Sequence, residues 1–200
     1  MAEQVLRTRR KALKDIYIAL VTQNDATGYT ADTPIKLGRA ISAKVTVKKS
    51  VEQTRSDDAV EEVIESDEGV EIEFDVNKLS MQQKAMLRGA KLTNGMLVYN
   101  KDDQAKEVAI GWRAKNTNRK YEFVWYYAGK FNSGWSEDYE TEQDKIKTQT
   151  AKMKGTFYAR EKDGNISVEV DESYLTGSDT DAESAIASWF TKVPEPIAEE

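Results

Sequence analysis

Apolar and polar residues alternate with a period of two through much of this chain, the pattern of strands half-buried on a sheet. The clearest run sets Val70, Ile72, Phe74 and Val76 against Glu71, Glu73, Asp75 and Asn77, giving a buried face and an acidic outer face. Residues 40–55 carry the same pattern. Ala43, Val45, Val47 and Val51 share one face, and Lys44, Thr46, Lys48, Ser50, Glu52 and Thr54 the other. Ser56-Asp57-Asp58 supplies turn chemistry between the two runs, and Val60, Val63 and Ile64 continue less regularly. Residues 40–76 are therefore predicted as a long β-hairpin. Roughly 15 extended residues span about 50 Å, against a radius of gyration of about 16 Å for a compact chain of this size. Such a hairpin either projects, with open edges that need a partner, or bends back at a bulge.

The remaining pattern predicts a β-rich chain. Residues 1–15 read as a mobile basic arm, followed by a strand over Ile16–Val21 and an extended segment at Thr33-Pro34-Ile35. Val108, Ile110 and Trp112 alternate. Tyr121 to Tyr127 is apolar on both faces, which places it centrally or at an interface. Tyr139 to Thr150 is polar and extended. Asp163-Gly164, between Thr156–Arg160 and Ile166–Val170, is a hairpin signal. Ser80 to Gly89 is the best helix, with Ser80 and Gln83 spaced as a capping box. Asp181 to Phe190 reads as a second short helix with Asp181 as its cap. About nine strands and two helices without βαβ order predict a mainly β fold. It is an antiparallel sandwich or barrel over residues 1–192 with one flanking helix, followed by a disordered acidic tail, 193–200.

Composition narrows the chemistry. Among 200 residues there is no Cys and no His, which removes thiol nucleophiles, disulfides and imidazole acid–base work. No cofactor and no metal site is expected, since the glycine-rich phosphate loops and the Asp-x-Asp-x-Asp-Gly spacing are missing. The start of the chain lacks the apolar segment of a secretory signal, and no run approaches a membrane span. The net charge of −6 argues against general nucleic-acid binding. Its distribution is uneven: ten acids and no base from Asp57 to Asp75, five acids and no base from Glu137 to Asp144, and five bases and no acid from Arg7 to Lys14. These runs are either solvated faces or the acidic wall of a polar assembly. Asp57, Asp58, Glu61 and Glu62 form a polar turn rather than a carboxylate active site, so no catalytic residue is assigned. Trp112, Trp125 and Trp189 fall on apolar stripes, whereas Trp135 beside Gly134 is read as exposed.

The order of these segments resembles the phi13-type family of phage major tail proteins. The resemblance runs from Leu13-Lys14-Asp15-Ile16-Tyr17 and Thr33-Pro34-Ile35-Lys36-Leu37, through Ala43–Lys48 and Val70–Val76, to Tyr121–Phe131, Glu140–Thr150, Met153–Phe157 and Trp189-Phe190. It covers about residues 13–190, and none of its motifs is catalytic. It implies the tail-tube fold and a structural role in a virion tail after synthesis in a bacterial cytoplasm. Six copies would form a ring, and stacked rings a tube. The implied partners are other copies of the chain, a tape measure protein, and the distal tail and tail terminator proteins. DNA would pass through the lumen without specific binding, and no membrane is involved.

Under that implication Glu52, Glu61, Glu62, Glu137, Asp138, Glu140 and Glu142 are lumen-facing candidates, because an acidic wall repels DNA where a basic one would hold it. Val45, Val47, Val51, Val60 and Trp135 are candidates for the interface between subunits. Two alternatives stay open. One is the tube subunit of a contractile tail, a phage-like bacteriocin or a secretion system. The other is a monomeric carbohydrate-binding sandwich with Trp135 in its platform.

Overall fold

The computed structural model describes residues 8–56, 59–139, 141 and 150–196, with backbone alone for 52–56, 59–65 and 67. It is mainly β and antiparallel, as the alternation predicts. Seven strands lie in the order β2(Gly28–Ala31), β1(Arg10–Asp25), β8(Val108–Asn116), β9(Tyr121–Glu137), β10(Ala151–Tyr158), β5(Ala59–Val76) and β4(Ala40–Ser56). β3(Ile35–Lys36) adds to β1, and β11(Ser167–Asp171) adds to β9. A separate two-stranded hairpin, β6(Lys91–Thr93) and β7(Met96–Val98), follows helix α1(Met81–Arg88).

The sheet curls over its own core. Ile16 and Ile18 of β1 share one buried cluster with Ile72 and Phe74 of β5, although three strands separate β1 from β5 in the order. Phe74 meets Trp112 of β8 edge to face, with ring centroids 5.3 Å apart. β9 belongs to both layers. Its first half pairs with β8, its second half only with β10, and the register slips between Lys154 and Thr156 where it turns from one to the other. A second apolar cluster lies on the far side of the β1–β8–β9 layer, where Trp125, Phe123 and Ala19 are covered by Trp189. Helix α2(Thr180–Ala187) and Phe190 close this side, with Phe190 stacked on Tyr17 at 4.5 Å. The first half of β9 is thus buried on both faces, which explains its run of aromatic residues.

Helix α1 forms as its sequence dictates. Ser80 accepts from the Gln83 amide, Gln83 accepts from the Ser80 amide, and Gly89 ends the helix in the left-handed region at φ 70°. Four expectations change. Residues 10–15 are not an arm but the first third of β1, held by the Arg10–Glu122 ion pair and by pairing with β8. A bulge at Asp15, φ 52°, fits this stretch to the sheet, and Lys36 and Arg113 both bond the Asp15 carboxylate. α2 begins at Thr180 with Asp179 rather than Asp181 at the cap. Asp163-Gly164 does not join two paired strands. β10 and β11 run in line along the same edge of β9, and residues 159–166 are an excursion between them.

The fourth change concerns the tail. Pro194 is buried, and Val193 packs on the aromatic cluster, so order continues past residue 192. The cause is Arg160, only 1% exposed, whose guanidinium bonds both Asp163 and Glu195. It lies over the Tyr127 ring at 4.1 Å, and Tyr127 donates its hydroxyl to the Pro194 carbonyl. The hydrogen bonds from Arg160 hold the Asp163 carboxyl well below the usual carboxylate range.

Candidate assembly surface

The hairpin of β4 and β5 is continuous from Ala40↔Val76 to Ser56↔Ala59. β10 covers only the Val70–Val76 stretch of β5. Beyond it, Lys48–Ser56 and Ala59–Gly69 run against each other and pair with no third strand among the described residues. About ten residues per strand at about 3.3 Å each put its end roughly 30 Å past the sheet. The projecting alternative is the one observed. The departure point is a bulge: Glu68 and Gly69 oppose Lys48 alone. Gly69 has φ 87°, and a Cβ there would lie 2.5 Å from the Phe157 carbonyl oxygen, so this position requires glycine.

The extra residue belongs to β5, so the alternation of β4 is unbroken across the bulge. Val45 opposes buried Ile72, and Val47 opposes buried Val70. Yet Val45, Val47 and Val51 are 39%, 62% and 56% exposed. They extend the core-side face of the sheet outward and stay exposed among the described residues. A cleft of about 440 Å³ lies between Val45 and the start of β1, with Leu13, Trp112, Val124, Tyr126 and Glu169 among its lining. Burial pushes the Glu169 carboxyl up, Glu122 adds to the rise, and Arg10 opposes it.

The layer β9–β10–β5–β4 has two open margins among the described residues. One is the outer edge of β4 along Ala40–Ser56. The other is the side of Phe131–Glu137 in β9 away from β10, since β8 ends its pairing at Gly129. The outward face of this layer is polar, and no described residue covers it. Cross-strand rows run Gly134–Lys154–Glu73–Lys44 and Ser136–Lys152–Asp75–Ser42, and they line a shallow groove of about 510 Å³.

The residues singled out by sequence are not gathered in one place. Val45, Val47 and Val51 stand together on β4. Trp135 is half-buried against the main core, with the Arg88 guanidinium 5.5 Å from its ring, rather than exposed. Glu137 ends β9 and is ion-paired with Lys84 of α1, which, against the effect of its burial, keeps its carboxyl below the ordinary range. Glu137 is therefore not a bare wall charge, while Asp138 beside it is exposed. Glu52, Glu61, Glu62 and Val60 lie on the hairpin backbone and their side chains lie outside the described residues, as do Glu140 and Glu142 entirely. The predicted turn residues Asp57 and Asp58, and most of the Tyr139–Thr150 segment, also lie outside them. Sequence reasoning missed the lysines opposite the acidic strand, although the alternation of Lys152 and Lys154 with Met153 and Gly155 was there to be read.

Among the described residues no cluster of three or more His, Cys, Asp or Glu side chains could hold a metal, and no helix is long and apolar enough to cross a membrane. A scan against protein-family models gives no match for this chain, and a search of curated proteins gives none.

Proposed function

We propose that the protein is a structural subunit whose copies join sheet to sheet into closed rings, as in a phage tail tube. The observation that carries this reading is the pair of open margins on one layer, β4 at one side and Phe131–Glu137 at the other. Unpaired margins on a flat layer are templates for another strand. Because the two margins differ, β4 of one copy meets β9 of the next, a head-to-tail contact that gives a ring when its rotation closes. The exposed valines of β4 supply the apolar area such a contact buries.

The layering favours one curvature. The core, the β1–β8 layer and α2 all sit on one side of β9–β10–β5–β4. In a closed ring the bulky side takes the larger circumference. The polar outward face then lines the channel, and the projecting hairpin reaches toward the adjacent ring. The segment order that resembles phage major tail proteins supports this reading, with tape measure protein and DNA as the channel's occupants in turn.

Negative-stain imaging of the concentrated protein tests it. Rings or hollow rods are expected. Particles that disappear in Val45→Ser/Val47→Ser, while the monomer stays folded, identify β4 as the contact. A chain that is monomeric at all concentrations and exchanges no faster at β4 than in its core would sink the reading.

A further inference from the structure

The outward face of β9–β10–β5–β4 carries more bases than acids in a protein that is acidic as a whole. Five lysines point to it by register: Lys44 and Lys48 on β4, Lys130 on β9, and Lys152 and Lys154 on β10. The acids interleaved with them are Glu71, Glu73 and Asp75 of β5. The chain as a whole carries −6. Several lysines on one face are the charge pattern by which a protein neutralises phosphates of a duplex.

Intramolecular carboxylates pair with two of these lysines, Lys48 and Lys154. Glu71 takes both Lys48 and Lys154 at 2.8 Å, and Lys154 also reaches Glu73 at 3.2 Å. The hydrogen bonds from Lys154, then Lys48, hold the Glu71 carboxyl below its usual range, so it stays charged wherever the lysines do. Asp75 sits in the same groove with its Oδ1 buried and without a hydrogen-bond partner, an acceptor that a phosphate oxygen cannot satisfy.

We infer that this face is a masked polyanion surface: duplex DNA can pass over it, but Glu71, Glu73 and Asp75 prevent the lysines from holding it. The inference rests on the assembly reading for its setting, because only a channel brings DNA there. The masking itself is a property of the single chain. It concerns Glu71, Glu73 and Asp75 and the lysines beside them, and not the acidic residues singled out from sequence as lumen-facing candidates.

Titration of a short fluorescent DNA duplex with the full chain tests the masking. Wild type is expected to bind weakly at about 0.05 M salt and not measurably at about 0.15 M. Glu71→Gln/Glu73→Gln is expected to bind about tenfold tighter at low salt, with a salt dependence steeper by about two counterions, as two released lysines require. Asp181→Asn/Glu183→Gln makes the same change in net charge on α2 and serves as the control. Equal tightening by both double variants, or tight binding by wild type, overturns the masking. The setting is read separately from a thiol introduced as Lys152→Cys, unique because the native chain has no Cys. In assembled particles it is expected to react with a small maleimide but not with a bulky polymer maleimide. Protection from both reagents means that another copy covers the face, and reaction with both places it outside; either result overturns the inference. Absence of any particles would sink the assembly reading while leaving the duplex titration readable.

Discussion

The middle of the sheet and its β4 end differ in completeness. Around β8 and β9 both faces are buried, Tyr126 in one core and Trp125 in the other, and every strand has neighbours. Around β5 and β4 one face is polar and open, one margin is unpaired, and valines continue the core-side face into solvent. The same alternation of side chains produces both regions. The difference lies in what is laid over them, and it separates residues that hold the core together from residues that the proposed assembly would cover.

That contrast is most easily broken at Trp125, which is fully buried and donates its Nε1–H to the Trp189 carbonyl at 2.9 Å. Trp125→Ala is expected to cost about 3–5 kcal/mol in denaturant unfolding. Arg160→Met is expected to cost about 3 kcal/mol, because it strips the partner from Asp163 and Glu195, and to leave Pro194–Glu195 open to proteolysis. Gly69→Val is next, at about 2 kcal/mol, from a strained φ and a clash with the Phe157 carbonyl. Its sharper readout is loss of assembly, since it disturbs the joint of the hairpin. Val45→Ser/Val47→Ser is expected to change monomer stability by less than about 0.5 kcal/mol while abolishing particles. If this pair unfolds the monomer instead, the β4 end is part of the core and the contrast fails.

The smallest effects come from pH. The carboxyls of Asp163, through Arg160, and of Asp15, through Lys36 and Arg113 against the cost of burial, lie below their usual range in the folded state. A depressed folded pKa gives stability that is present above the unfolded value near 3.8 and lost as pH falls through the folded value. Unfolding midpoints should therefore hold steady from pH 7 to about 5 and decline below about 4. Glu169 has the opposite sign. Its raised carboxyl opposes folding once ionised, so Glu169→Gln is expected to raise the midpoint slightly at pH 7 and to leave it unchanged in acid.

Local features were legible in the sequence because local physics sets them. The alternation of Val70–Val76, the capping box of Ser80 and Gln83, and the doubly apolar β9 each needed only a window of a few residues. What was missed depends on distant partners. The basic stretch Arg10–Lys14 looks like an arm until Glu122 and the pairing with β8 are supplied. Asp163-Gly164 has hairpin chemistry, but both flanking segments find a better partner in β9. Pro194 and Glu195 read as a frayed end because their anchor, Arg160, is 35 residues away along the chain. Trp135 looked exposed beside Gly134, and only the placement of Arg88 on α1 shows what flanks it. The open margins could be suspected from the length of the alternation, whereas their presence on both sides of one layer is a matter of topology.

The bulge at Gly69 makes reach and heading independent variables. The left-handed glycine fixes the angle at which β4 and β5 leave the body, and the count of residues beyond it fixes how far they go. Adding two residues to each strand past the joint would lengthen the span by about 7 Å with every valine still on its original side. Adding one to each between the joint and Val51 would turn Val51 over while leaving Val45 and Val47 in place, so the reach of the hairpin keeps its side-chain pattern only when it changes in even steps.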